Sequence, residues 1–161
     1  MPDKPRVYIE TTVVSYLTAR PSSELITTAH QKITQDWWNT KREDFQLFAS
    51  ELVIQEASAG DVDASQRRLE ILTPIPLLQA DTSTRRLAGF LAKATNIPQR
   101  AYADVAHIAM AVTNGMDFLL TWNCRHIANA QLRTIIENVC ESQGYVAPTI
   151  CTPEELMEDL P

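Results

Sequence analysis

The chain has 161 residues, 45% of them hydrophobic and 21% charged, and a formal net charge of −6. That length suits one domain with a full core and is short for two, and no apolar run approaches the roughly 20 residues of a membrane helix. The acidic balance lacks the basic surplus usual in nucleic-acid binders, yet it does not exclude one, because a metal site concentrates acids that bound cations offset.

Residues Arg6 to Glu10 read as a strand, followed by a short helix from Thr12 to Leu17 that ends near Pro21. Ser22 or Ser23 is placed to cap a longer helix through Trp38, with Leu25, Ile26, Ala29, Ile33 and Trp37 on its apolar face. Phe45 to Ala49 reads as a second strand, and Ser50 as the cap of a helix carrying Leu52, Val53 and Glu56. Gly60-Asp61 breaks that helix, and Asp63 opens another that stops before Pro74 and Pro76.

Leu77 to Gln79 is a short strand. Asp81 or Thr82 then opens a helix with Leu87, Phe90 and Leu91 on one face. A helix from about Ala101 to Thr113 follows Pro98 and ends at Asn114-Gly115, residues that tolerate the left-handed cap conformation. Asp117 to Thr121 is a buried strand, Asn129 to Ser142 a helix closed by Gly144, and Thr149 to Cys151 a last strand. Thr152-Pro153-Glu154-Glu155 has the composition of a capped helix start. This alternation predicts an α/β fold: a central parallel sheet with helices on both faces, in a single domain over 1–161. No GxGxxG or GxxxxGK[ST] is present, so neither a dinucleotide fold nor a P-loop is supported.

Cys124, Cys140 and Cys151 are odd in number and lack CxxC spacing, which argues against a zinc site or a disulfide framework. Buried or half-buried thiols in a reducing cytoplasm are expected. Met1 to Arg6 shows no apolar leader, in keeping with a cytoplasmic protein. The basic doublets Lys41-Arg42, Arg67-Arg68 and Arg85-Arg86 read as solvated helix faces.

Four positions carry the chemistry. Glu10 ends the apolar run Val7-Tyr8-Ile9, at the strand end where α/β folds bind ligands. Glu56 sits on the apolar side of its helix with Leu52 and Val53, where an acid needs a partner or a cation. Asp104 lies in Ala101–Val112, a stretch apolar nearly all round, so deep burial is expected, with a metal as its counter-charge. Thr121 and Asn123 follow the strand Phe118-Leu119-Leu120 and share the sheet edge of Glu10 if the strands are parallel. A hydroxyl and an amide there orient metal-bound waters without adding charge. His107 and His126 read as structural histidines, and Trp37-Trp38 as helix packing. Trp122 suits packing and base stacking equally.

Taken in order, Val7–Leu17, Ser50–Glu56, Ala103–Ala109 and Leu119–Asn123 resemble the PIN-domain ribonucleases, in particular the VapC-like toxins of bacterial toxin–antitoxin pairs. The resemblance implies a sheet of about five parallel strands between helices and an acidic site for Mg²⁺ or Mn²⁺. It places Glu10, Glu56 and Asp104 as metal ligands and Asn123 as a fourth site residue. Thr11 and Thr121 support them, and Arg20 and Arg125 contact the RNA backbone. It further implies a homodimer and a cognate antitoxin that occludes the site. Two positions depart from the family pattern: Glu10 stands where Asp is usual, and Asn123 where a fourth acid is usual. Three carboxylates in place of four weaken a second metal more than a first.

The expected activity is therefore metal-dependent hydrolysis of RNA phosphodiester bonds by the toxin of such a pair. The rival reading is a weak or inactive module of the same fold that binds RNA or a protein partner. Hydrolysis of a small phosphate ester ranks last, because no DxDx[TV] motif is present.

Overall fold

The computed structural model describes residues 3–159. Within them, five strands form one all-parallel sheet: β1 (Arg6–Ile9), β2 (Gln46–Ser50), β3 (Leu77–Leu78), β4 (Phe118–Leu120) and β5 (Thr149–Cys151), in the order β3-β2-β1-β4-β5. The helices are α1 (Thr11–Thr18), α2 (Leu25–Thr40), α3 (Glu51–Ala57), α4 (Val62–Leu72), α5 (Thr82–Thr95), α6 (Tyr102–Thr113) and α7 (Ala130–Ser142). They flank the sheet, α1 packing against α2, α3 and α4, and α5 against α6 and α7. The α/β fold expected from the alternation is the fold observed.

β1 is the central strand. Its register runs Tyr8 beside Phe48 of β2 and Leu119 of β4. Val7, Tyr8 and Ile9 are all fully buried, as a strand covered on both faces requires. The chain builds outward from β1 to β2 and β3, then crosses back to place β4 and β5 on its other side. The order of winding reverses between β1 and β4, and the carboxyl ends of strands beside such a reversal are where open α/β sheets take ligands.

Several elements depart from the sequence pattern. On α2 the buried residues are Gln31, Thr34 and Trp37, whereas Leu25 and Ile26 are 84% and 68% exposed and Ala29 is also exposed. Ser22 does not cap α2; Glu24 holds the cap position without bonding a backbone N–H of the helix, its carboxylate accepting from the Thr27 hydroxyl, and Ser22 Oγ instead accepts from the Glu24 N–H. Phe90 is 43% exposed, because α5 turns Thr84, Leu87, Ala88 and Leu91 inward. Asn114 keeps φ −98°, and Gly115 alone takes the left-handed turn at φ +67°. The Thr152–Glu155 hydrogen bonds form as in a helix cap, yet the chain there makes only turns. Cys124 is exposed, while burial pushes the Cys140 and Cys151 thiols up to about 11 and about 12. No helix among the described residues is long and apolar enough to cross a membrane.

Candidate active site

Glu10 follows β1 directly and is the N-cap of α1. It is two residues beyond Tyr8, so both side chains point to one face of the sheet. Its carboxylate is only 3% exposed, and three donors hold it. Oε1 accepts from the Thr12 and Thr121 hydroxyls, each at 2.5 Å, and Oε2 accepts from the Thr12 N–H at 3.1 Å. The two hydroxyls are themselves oriented from β4's end: the Trp122 N–H donates to Thr12 Oγ1 and the Asn123 N–H to Thr121 Oγ1. The α1 N-terminus adds a favourable dipole for the negative charge. Neither lysine nor arginine pairs with Glu10 among the described residues.

Glu56 comes from the last turn of α3, whose start is fixed by Ser50 at the end of β2. Its Oε1 accepts from Thr11 Oγ1 and from His107 Nε2, both at 2.6 Å. Burial by itself pushes this carboxyl up. The bond and attraction to His107, with the Thr11 hydroxyl, outweigh burial and hold it below the usual glutamate value, so it is ionised at neutral pH. Ligand atoms of Glu10, Glu56 and His107 lie within 4.8 Å of one another.

His107 is fully buried on α6 and belongs to a polar chain through the core. Its Nδ1 lies 2.7 Å from Tyr8 Oη, which lies 2.7 Å from Ser50 Oγ. The expectation of a hydrogen-bonded core histidine is met, and the partner it reaches is a site carboxylate. Desolvation raises the Tyr8 phenol far above its ordinary range, so it stays neutral.

Asp104 is placed differently from expectation. Its side chain is 19% exposed, and its counterpart is His126, whose Nδ1 lies 2.9 Å from Asp104 Oδ2. It stands outside the Glu10–Glu56–His107 group. The apolar composition of α6 suggested a helix buried all round. Ala103, Asp104 and Ala106 instead lie on a partly open side. As residue i to His107 at i+3, Asp104 remains its neighbour on the helix surface. Asn123 is half-buried, and its Oδ1 accepts from the His126 N–H at 3.0 Å, so its amide braces the loop that carries Asp104's partner.

Thr11 donates to Glu56 and Thr121 to Glu10, where Thr121 was expected to orient metal-bound waters. Thr12, Tyr8, Ser50 and His107 were not assigned to the site from sequence. A tyrosine inside an otherwise apolar strand was the available signal, because a buried phenol needs a partner. Trp122 packs: its indole N–H donates to Thr34 Oγ1 at 2.7 Å, and His30 stacks on it with ring centroids 4.0 Å apart. Arg20 and Arg125 are exposed. Arg20 lines a groove with Arg67 and Arg68, and these last two are not freely solvated, since they donate to the Thr18, Ala57 and Ala59 carbonyls.

Comparison with protein-family models gives no match, and comparison with curated proteins gives none.

The residues fit a divalent cation. Two carboxylates converge at the carboxyl edge of the sheet, and among the described residues neither pairs with a lysine or arginine. Glu56 Oε2 takes no hydrogen bond from the described residues, and Glu10 Oε2 takes only one, so each keeps acceptor capacity for a ligand. Oxygen donors of this kind suit Mg²⁺ and Mn²⁺.

Proposed function

We propose that this chain is a metal-dependent endoribonuclease of PIN-like type. The observation that carries this reading is the convergence of Glu10 and Glu56 at the carboxyl edge of the sheet, beside the β1/β4 reversal, without a basic partner on Glu10. Glu10 and Glu56 would hold the ion, and Asp104, three residues before His107 on α6, would be the third carboxylate of the site. Bound there, Mg²⁺ or Mn²⁺ supplies an activated water and neutralises charge on the phosphoryl oxygens. Thr12 and Thr121 keep Glu10 in one orientation, which limits reorganisation during the reaction. Glu56, ionised and held at Oε1, accepts a proton or a water hydrogen bond at Oε2. The exposed guanidinium groups of Arg20 and Arg125 contact RNA phosphates. The same resemblance supports a toxin's role in the cytoplasm, a homodimer and a cognate antitoxin. A small reading frame beside the gene is the cheapest support for that partner.

The engagement of Asp104 with His126 favours a second reading, a PIN-like module that binds RNA or a protein without cutting. Labelled RNA incubated with purified protein in Mg²⁺, Mn²⁺ or EDTA separates the two. The nuclease reading expects cleavage in metal, none in EDTA, and at least a ~100-fold loss in Asp104→Asn, from the scale of removing one electrostatic contact to the transition state. Cleavage that survives in Asp104→Asn would remove Asp104 from the metal site. Absence of cleavage with binding retained would support the module.

A further inference from the structure

The carboxylate of Glu56 is not the end of its own network. Glu56 Oε1 lies 2.6 Å from both Thr11 Oγ1 and His107 Nε2, and in the arrangement where it accepts from both, the hydrogen of the second bond sits on Nε2. Where the ring is neutral with its hydrogen on Nε2, Nδ1 accepts from the Tyr8 hydroxyl at 2.7 Å; where it is charged, Nδ1 donates to that hydroxyl, and either way the nitrogen is engaged. In the neutral case Tyr8 Oη in turn accepts from Ser50 Oγ at 2.7 Å, and Ser50 Oγ accepts from the Val53 N–H at 3.4 Å. With the ring neutral, all donors point one way, from the first turn of α3 through β1 and α6 and back to Glu56 on the last turn of α3. Tyr8, Ser50 and His107 are all fully buried, and no buried side-chain polar atom is left unpartnered among the described residues. Both imidazole nitrogens are therefore committed, although Nε2 lies close enough to Glu10 and Glu56 to be taken for a ligand.

We propose that His107 is a positioning residue for Glu56, aimed by the Ser50–Tyr8 chain, and not a metal ligand itself. The proposal rests on the reading of Glu56 as a ligand. It reverses the common arrangement in which a carboxylate steadies a ligating histidine. Here a histidine steadies a ligating carboxylate and keeps Oε1 occupied, so that Oε2 is the oxygen left for an ion or water. Steadying of this kind typically changes metal affinity by about 10- to 100-fold.

The test combines ring NMR with Mn²⁺ titration on the full chain, with folding of each variant verified by circular dichroism. In ¹⁵N-labelled protein without metal, His107 should carry its hydrogen on Nε2 and keep it when Mg²⁺ is added. His107→Leu should bind Mn²⁺ about 10- to 100-fold more weakly. His107→Gln, whose amide places an N–H near the same point, should recover most of that loss. Tyr8→Phe should keep the hydrogen on Nε2, which Glu56 still takes up, and move the Nδ1 resonance toward that of a nitrogen without a hydrogen-bond partner; an unmoved Nδ1 resonance would take Tyr8 out of the chain. An unprotonated Nε2 in the metal-free protein, or loss of its hydrogen on adding Mg²⁺, overturns the proposal, and so do equal losses in Leu and Gln variants. If the unsubstituted chain binds no Mn²⁺, the metal reading fails by itself, and the ring spectra of the unsubstituted and Tyr8→Phe proteins alone decide whether the chain aims His107 at Glu56.

Discussion

Two carboxylates a few ångströms apart are held by different means. Glu10 is almost sealed from solvent and relies on hydroxyls and a helix N-terminus, whereas Glu56 is partly open and relies on a histidine. Thr121→Val keeps the shape and removes one donor from Glu10, so stability should fall by about 1–3 kcal/mol, the cost of an unmet hydrogen bond to a charged group. Urea denaturation measures it, and an unchanged midpoint would show that the Thr12 contacts suffice. Glu56 predicts a pH dependence. Its folded-state value lies below the ordinary 4.5, so the unfolded state binds the proton first. The stability it contributes is fully present above about 4.5 and is lost as pH falls through the lower folded value. Glu56→Gln should therefore flatten the acid limb of a stability–pH curve; a limb of unchanged slope would assign that dependence to other acids.

Ser50 matters at the scale of elements. It ends β2, caps α3 and touches Tyr8 on the neighbouring strand, so one hydroxyl couples a strand end, a helix start and the core chain. Ser50→Ala should cost about 1–2 kcal/mol, by loss of the cap and of a partner for the buried phenol. Hydrogen exchange should report faster opening in α3 than in α7, and equal changes in both would argue for a global effect only. The helix α2 teaches a different point. Its apolar spacing pointed to Leu25, Ile26 and Ala29, yet packing buries Gln31, Thr34 and Trp37. Thr34 is inside because it accepts from Trp122, and Gln31 because it spans the Arg20 carbonyl and the Ser22 N–H. Hydrophobicity alone cannot rank a polar residue that meets its partners indoors.

Across the whole molecule, ligand binding and folding are linked. An ion that binds the folded site and not the unfolded chain adds RT ln(1 + [L]/Kd), about 2.7 kcal/mol at a hundredfold excess over Kd. Mn²⁺ should therefore raise the thermal midpoint, EDTA should reverse the rise, and Glu10→Gln should abolish it. A midpoint indifferent to Mn²⁺ would count against the metal reading as a whole. The reversal of strand order about β1 makes this coupling reasonable, because Glu10, Glu56 and Thr121 come together only when β1, β2 and β4 are paired in register.

The element order, the parallel sheet and the placing of Glu10, Thr11 and Thr121 at its carboxyl edge were legible from alternation, capping and strand ends. These are local signals: periodicity and turn chemistry act within a few residues. Glu56 was legible as an acid on an apolar face, but its partner was not. The linking of Tyr8, Ser50, His107 and Glu56, and the pairing of Asp104 with His126, join residues 22 to 99 positions apart. Side-chain type announces that a buried phenol or imidazole needs a partner; only packing decides which one stands within reach. The same holds for Asp104. Composition marked its helix as apolar, while the tertiary arrangement left one side open and put a histidine there, because exposure is set by what covers a helix and not by the helix itself.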